Sequence, residues 1–341
     1  MDTKRLIDVN NFSVSFDTPA GEVQAVRNAS FYVEQGEIVA IVGESGSGKS
    51  VMTQSLLKLL PSPPAKLKSD SIVFDGRDIS KFKRKQLMDI KGAEISYVFQ
   101  DPMTSLNPTM KVGNQIVECI RKHKRISRKE AKADAINLLR LTGIPNPEKR
   151  YSQYPHEMSG GMRQRAMIAM AISCRPKLLI ADEPTTALDV TIQSQILEIL
   201  KDLNKEFGMS IILITHDLGI VANVASRVMV MYGGRIIENS NVADIYRNPE
   251  HPYTSALLKS VPRLDIDTKK SLDYIIGSPP NMLQPPEGCA FAPRCKYCMQ
   301  VCKTYYPPII GNELHHTACW LLHEMADGIR EKVDKQVNID G

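Results

Sequence analysis

Gly43-Glu44-Ser45-Gly46-Ser47-Gly48-Lys49-Ser50 is the stretch whose reading decides the fold. It follows a continuous apolar run, Ile38–Val42, that suits a strand buried on both faces. It opens a helix-like stretch, Val51–Leu60, and so fits G-x-x-x-x-G-K-Ser/Thr in the required strand–loop–helix context. The residue types follow from the chemistry. Glycines at 43, 46 and 48, with Ser45 between, let the backbone curl until several N–H groups point at one phosphate. The helix N-terminus adds the positive end of its dipole. Lys49 reaches the β- and γ-phosphates, and the Ser50 hydroxyl coordinates Mg²⁺. A Gly/Ser-rich surface turn would not explain the flanking strand and helix. A nucleoside triphosphate site is expected.

Working outward, similar apolar runs recur at Ile95–Phe99, Leu178–Ala181, Ile211–Ile214 and Val228–Tyr232, with helix-like stretches between several of them. That alternation predicts an α/β domain with a largely parallel sheet. Two β-like runs precede it, Leu6–Phe16 and Glu22–Val33, split by the turn-prone Thr18-Pro19-Ala20-Gly21. Residues 101–158 break the alternation. They are polar and basic, with helices expected near Val112–Lys124 and Arg128–Leu141, and read as a helical insertion. Near Arg263 the texture changes again, and Pro279-Pro280, Pro285-Pro286 and Pro307-Pro308 punctuate the C-terminal stretch. With 341 residues, about two domains are expected: 1–262, including the helical subdomain at about 101–158, and a small Pro/Cys-rich domain over 263–341.

Leu178-Leu179-Ile180-Ala181-Asp182-Glu183 supplies a second element of phosphate chemistry. A buried strand ending in a carboxylate places Asp182 at the sheet's C-terminal edge, where open α/β folds bind ligands. Asp182 is expected to hold Mg²⁺ with Ser50, and Glu183 to polarise the attacking water as general base.

Composition narrows the class. At 43% hydrophobic and 24% charged residues, the chain is ordinary for a globular protein. The net charge of +5 is too small and too dispersed to imply nucleic-acid binding. The run from Arg121 to Lys132, rich in Lys and Arg, reads as a solvated face of the helical insertion. No stretch of 18 or more apolar residues occurs, which argues against a membrane span. The opening MDTKRLIDVNNFSVSF lacks an apolar h-region, so no secretory signal is expected. Five of the seven cysteines fall between Cys289 and Cys319, spaced Cys289-x5-Cys295-x2-Cys298-x3-Cys302-x16-Cys319. In a cytosolic protein, clustered thiols more often mean metal than disulfide. Four thiolates suit either zinc or an iron–sulfur cluster, with His315 and His316 near enough in sequence to be alternative ligands. Cys119 and Cys174 read as ordinary buried thiols.

Met158-Ser159-Gly160-Gly161-Met162-Arg163-Gln164-Arg165 makes the reading specific. It resembles the signature sequence of ABC-type ATPases, just upstream of the Asp182-Glu183 strand, with Met158 and Met162 in place of the usual Leu and Gln. Ser159 and Gly161 open an apolar helix, so hydroxyl and N–H groups there can clamp a γ-phosphate. The resemblance implies that this phosphate belongs to ATP on a partner subunit. Further positions look like family elements. Gln100 is similar to the Q-loop glutamine that touches Mg²⁺ or water, and Ala187-Leu188-Asp189 to the D-loop. His216, after Ile211–Thr215, resembles the switch histidine that contacts the γ-phosphate, and Phe16 the aromatic that stacks on adenine.

One phosphate loop, no long coiled-coil insertion and no fused membrane helices favour a separate ATP-binding subunit of a bacterial importer. Gly277-Ser278-Pro279-Pro280-Asn281-Met282 and the segment Pro285–Cys295 resemble the tail of oligopeptide/dipeptide importer ATPases. Gln100-Asp101-Pro102-Met103-Thr104-Ser105-Leu106-Asn107-Pro108 resembles the same subfamily's Q-loop. The resemblance implies ATP hydrolysis that energises peptide import through two transmembrane permease subunits. It further implies a second ABC ATPase subunit, commonly a paralogue, and indirectly an extracytoplasmic peptide-binding protein. The chain would then sit peripherally on the cytoplasmic face of the cell membrane. Nickel or glutathione-type cargo are alternatives, and a nucleic-acid-processing ABC ATPase is the rival of a different class. The subfamily pattern uses Cys289, Cys295, Cys302 and Cys319 and is similar to members carrying a 4Fe-4S cluster, with zinc the runner-up. Cys298 is an extra thiol, which leaves the fourth ligand open; a structural staple is the expected role.

Overall fold

The computed structural model describes residues 4–186, 188–260, 275–331 and 333–334. The domain boundary expected at 262–263 lies outside the described residues. In chain order, β1 (Arg5–Thr18) and β2 (Gly21–Glu34) form a long hairpin, and β3 (Ile38–Val42) leads into α1 (Lys49–Leu56). Next come β4 (Ala65–Lys68), the short hairpin β5 (Ser71–Phe74) and β6 (Arg77–Asp78), α2 (Arg84–Ile90) and β7 (Ile95–Val98). A helical stretch comes after β7: α3 (Pro102–Ser105), α4 (Val112–His123), α5 (Arg128–Leu141), α6 (Pro147–Tyr151) and α7 (Gly160–Ala171). The alternation then resumes with β8 (Leu178–Asp182), α8 (Val190–Phe207), β9 (Ser210–Thr215), α9 (Leu218–Val221) and β10 (Arg227–Tyr232). Last are β11 (Arg235–Asn241), α10 (Val242–Arg247), α11 (Pro252–Lys259), α12 (Gln300–Thr304), β12 (Ile309–Gly311) and β13 (His315–Ala318).

The chain groups into two compact units. One draws on 1–8, 32–38 and 72–215; the other draws on 9–31, 39–71 and 216–341. In the first unit β7, β8 and β9 run parallel, with Ile95 opposite Leu178 and Leu178 opposite Ser210. Every residue of β8 and β9 is buried, which is why both read as unbroken apolar runs. The helices of this unit bury stripes at helical spacing, Val112, Ile116 and Ile120 on α4 and Ala131, Ala135 and Leu138 on α5. Ser127 starts α5 with a reciprocal cap, accepting the Glu130 N–H at 3.2 Å while the Glu130 carboxylate accepts the Ser127 N–H at 2.8 Å.

In the second unit β3 pairs in parallel with β10, and β11 pairs antiparallel with both β10 and β13. β12 completes that edge against β13, and β4 lies against β1 with Phe16 opposite Ala65. The core of this unit joins Val42, Val228 and Val230 to Tyr232, Tyr253 and Phe291. The three rings meet at centroid distances of 4.5 to 5.4 Å, two of the pairs edge to face. The Cys-rich segment therefore packs within the unit that carries the phosphate loop.

Two boundaries differ from the sequence pattern. The helix expected over Val51–Leu60 begins at Lys49 and ends at Leu56, before Lys58 at φ 48° and the prolines at 61, 63 and 64. The strand expected to reach Phe99 ends at Val98. Among the described residues, no helix is long and apolar enough to cross a membrane.

Gly113 in α4 faces the Tyr151 ring so closely that an added Cβ would lie 2.1 Å from its Cδ2. Gly113→Ala is therefore expected to cost about 1–3 kcal/mol through overpacking. Thermal unfolding followed by circular dichroism should show a midpoint several degrees lower, and an unchanged midpoint would contradict this contact.

Candidate active site

The phosphate loop begins where β3 ends. Gly43 is buried at φ 153°, and a Cβ there would sit 2.2 Å from the Met231 carbonyl oxygen. Gly48 precedes α1 at φ 101°, and a Cβ there would sit 2.4 Å from the Ala25 carbonyl oxygen. Neither position has room for a side chain. Lys49 folds back over the loop, its ammonium donating to the Gly43 carbonyl at 2.8 Å and the Glu44 carbonyl at 3.0 Å. Ser45 and Gly46 are exposed at the tip, and Ser50 lies in the first turn of α1. An open cleft runs over residues 44–47, walled by Tyr232 and Pro279-Pro280. Curled backbone, a helix start and a buried ammonium fit a bound phosphate chain. Phe16, half-buried on β1, and the exposed His216 belong to this same unit.

The carboxylates belong to the other unit. Asp182 ends β8 almost fully buried and accepts the Tyr97 hydroxyl proton at 2.7 Å. Glu183 sits at φ 44°, in the left-handed region that costs a residue with a side chain of order 1–3 kcal/mol. Its N–H donates to the Ile214 carbonyl at 2.9 Å. Its carboxylate accepts from Gln100 Nε2 at 2.8 Å and Thr186 Oγ1 at 2.9 Å. Gln100 and Glu183, expected separately from sequence, are thus in direct contact. Tyr97 and Thr186 are partners that the sequence reading missed. The available signal for Tyr97 was a hydroxyl in β7, whose neighbour β8 ends in Asp182.

Ser159 caps α7, its hydroxyl accepting the Met162 N–H at 3.3 Å. Gly161 is required by close approach, since a Cβ would lie 2.9 Å from Ile192 Cγ2. Asp189 caps α8 by accepting the Ile192 N–H at 3.0 Å, so the starts of α7 and α8 are neighbours. Both cap residues are exposed, and Ala187 beside them lies outside the described residues. Arg165 fastens α7 by donating to the Gly143 carbonyl at 2.6 Å and Gln195 Oε1 at 2.7 Å. In the basic run at 121–132, Arg121, Lys122, Arg125, Arg128, Lys129 and Lys132 are exposed, as a solvated face requires. Lys124 donates to the Ser173 carbonyl and Lys132 lies over the Tyr151 ring. Cys119 and Cys174 are only half-buried, with Cys174 Sγ 3.9 Å from the Cys119 carbonyl.

In the C-terminal segment, Cys289, Cys295, Cys302 and Cys319 line one apolar pocket, together with His251. Cys298 is not part of that lining; its Sγ donates to the Met299 carbonyl at 3.6 Å. Burial pushes the thiols of Cys289, Cys295 and Cys319 up to about 12, and raises Cys302 as well. Burial also drives His251 down to about 3, and its Nδ1 accepts the Tyr253 N–H at 3.0 Å. A zinc tetrahedron with Zn–S near 2.3 Å needs sulfurs about 3.8 Å apart. Among the described residues, the one set of three metal-ligating atoms within 4.8 Å of one another is Glu238, Glu250 and His315, not the cysteines. The two candidate histidines are engaged elsewhere. His315 Nε2 lies 3.0 Å from Glu238 Oε1 and 3.4 Å from Glu250 Oε2, and His316 Nδ1 lies 3.3 Å from the Asn312 carbonyl.

Comparison with known proteins shows the family. Residues 26–186 match the family model described as ABC transporter, and residues 237–302 match the oligopeptide/dipeptide transporter C-terminal region. The oligopeptide transport ATP-binding protein OppD of Bacillus subtilis is 52% identical, over 98% of this chain and 95% of the relative. The dipeptide transport ATP-binding protein DppD of the same organism is 51% identical, over 95% and 97%. A dimeric ATP-binding cassette solved in a post-hydrolysis state with ADP and phosphate superposes with a TM-score of 0.63. It is 25% identical, and the similarity covers 69% of this chain and 98% of that one.

Gly48→Ala forces a side chain both into a left-handed turn and against the Ala25 carbonyl. It is expected to weaken nucleotide binding at least roughly tenfold, from strain of order 1–3 kcal/mol. Titration with a fluorescent ATP analogue checks this, and native affinity would count against the loop geometry described.

Proposed function

The chain belongs to the ATP-binding subunits of oligopeptide/dipeptide ABC transporters, and on that premise we propose how its own residues divide the work. The protein hydrolyses ATP to ADP and phosphate and couples the reaction to peptide import through a partner permease. The observation that carries the reading is the phosphate loop, where Gly43 and Gly48 admit no side chain and Lys49 spans the curl.

In this proposal the loop amides of Gly43, Ser45, Gly46 and Gly48 and the Lys49 ammonium hold the β- and γ-phosphates. Phe16 stacks on the adenine. Ser50, Asp182 and Gln100 hold Mg²⁺, a role that suits the first turn of α1 and a buried carboxylate oriented by Tyr97. Bound Mg²⁺ neutralises charge on the transferring phosphoryl group. Glu183, held by Gln100 and Thr186, orients and deprotonates the attacking water, and His216 contacts the γ-phosphate. Ser159, Gly161 and Asp189, the first and last of them exposed, meet ATP on a second ATPase subunit, for which we favour a paralogue. Two transmembrane permease subunits hold the pair at the cytoplasmic face of the membrane, and an extracytoplasmic peptide-binding protein delivers cargo to them.

For the C-terminal domain, residues 263–341, we propose a 4Fe-4S cluster held by Cys289, Cys295, Cys302 and Cys319. Four thiols on one apolar pocket, with Cys298 outside it, support that choice. Such a cluster would be a staple that turns buried neutral thiols into thiolate ligands.

Glu183→Gln is expected to lower steady-state ATP hydrolysis by roughly 10²-fold or more while ATP binding persists. Near-native turnover would remove Glu183 from its role, and turnover stimulated by DNA rather than by permease in liposomes would favour the nucleic-acid class. Iron and acid-labile sulfide in equal amounts, after anaerobic purification, are expected in the native chain and in Cys298→Ala. Both should be lost in Cys302→Ala, and stoichiometric zinc instead would overturn the cluster.

A further inference from the structure

Arg294 lies between Cys289 and Cys295, far along the chain from the phosphate loop, and its side chain is 5% exposed. Its guanidinium makes a two-pronged bond to Glu44, the second residue of that loop, with Nη1 2.7 Å from Oε2 and Nη2 3.0 Å from Oε1. The remaining directions are taken too. Nη1 donates to the Tyr232 hydroxyl at 3.1 Å, Nη2 to the Ile275 carbonyl at 3.0 Å and Nε to the Ile276 carbonyl at 3.0 Å. Five contacts meet the five N–H donors of the group, so Arg294 has none left for a nucleotide.

Glu44 is held at every polar point. Its N–H donates to the Tyr253 hydroxyl at 2.8 Å, its carbonyl accepts from Lys49 Nζ at 3.0 Å and from the Ser47 N–H at 3.2 Å, and its carboxylate meets Arg294. Tyr232 and Tyr253 in turn pack on Phe291, three residues before Arg294. One rigid patch therefore fixes the second residue of the loop from outside. The fork also matters electrostatically. Without Arg294, the Glu44 carboxylate would stand uncompensated on the loop that must accept a polyphosphate.

We propose that Arg294 is a positioning residue for ATP binding, which sets the Glu44 backbone and cancels the charge of its carboxylate. The proposal rests on reading the phosphate loop as the nucleotide site. It makes the Cys-rich segment a working part of that site, acting through Glu44 and not by touching ATP.

The test is ATP affinity of the full-length chain, measured with a fluorescent analogue on native protein, Arg294→Ala, Glu44→Gln and the double variant. Losing a charged hydrogen-bonded pair predicts roughly tenfold weaker binding for Arg294→Ala. Adding Glu44→Gln should restore affinity to within about threefold of native, because no stranded carboxylate remains. Native affinity in Arg294→Ala overturns the proposal, and so does loss without rescue, which is the outcome mere packing would give. If circular dichroism shows Arg294→Ala unfolded, Arg294→Gln keeps a hydrogen-bonding side chain but not the charge; weakened binding that Glu44→Gln restores then supports the proposal, and native binding or loss without rescue overturns it. Lys49→Ala separates the two readings. If it binds ATP normally, the loop is not the nucleotide site; if it loses binding while Arg294→Ala does not, only the Arg294 role falls.

Discussion

Two carbonyl oxygens set the terms for half of this protein. Met231 on β10 and Ala25 on β2 approach the phosphate loop so closely that positions 43 and 48 have no space for a Cβ. The loop is thereby pressed into a curl by its neighbours, and does not depend on its own flexibility for shape. That constraint dictates the rest of the unit. β3 must pair with β10, so that Met231 stands beside the end of β3; the β1–β2 hairpin must bring Ala25 alongside. Lys49 then closes the curl with two bonds to carbonyls that the curl itself has turned inward. A conformation imposed by packing on both sides is present before any ligand arrives, which lowers the ordering cost of binding.

The carboxylate half uses a different device. Asp182 stays on the strand, buried and oriented by a tyrosine hydroxyl, whereas Glu183 turns off it at positive φ. One peptide unit thus separates a carboxylate held by Tyr97 from one held by Gln100 and Thr186. The strain at Glu183 is offset by three bonds: its N–H to Ile214, and its carboxylate to Gln100 and Thr186. A Glu that stayed in β conformation would point to the opposite face of the sheet from Asp182, because strand side chains alternate. The left-handed turn breaks that alternation.

Sequence reading reached the strands of the parallel sheet because burial on both faces leaves an unmistakable apolar run, as in Ile38–Val42 and Leu178–Asp182. It reached the phosphate loop, the Ser159 helix start and the Asp182-Glu183 pair because each is a local pattern with a local chemical reason. It did not reach Tyr97, which sits 85 residues from Asp182 in the chain and pairs with it only through the register of β7 on β8. Nor did it reach Arg294 on Glu44, 250 residues apart, where nothing in either neighbourhood names the other. β12 and β13 were also silent. They are three and four residues long, too short to show alternation, and the edge of β11 recruits them.

The C-terminal segment shows why composition alone misjudges such a region. Proline punctuation and clustered cysteines suggest an appendage, and an appendage would need only its own staple. Here Phe291 joins the core that contains Val42 of β3, and Arg294 grips the loop after that strand. Two of the four thiols on the apolar pocket flank these two residues: Cys289 precedes Phe291 by two positions and Cys295 is the next residue after Arg294. Any group that fixes Cys289 and Cys295 fixes both ends of a seven-residue segment that carries Phe291 and Arg294. Entropy then favours the grip on Glu44, since a segment already immobilised at both ends loses little more freedom on making it. The cysteines and the phosphate loop are in this sense one construction, joined through a single guanidinium.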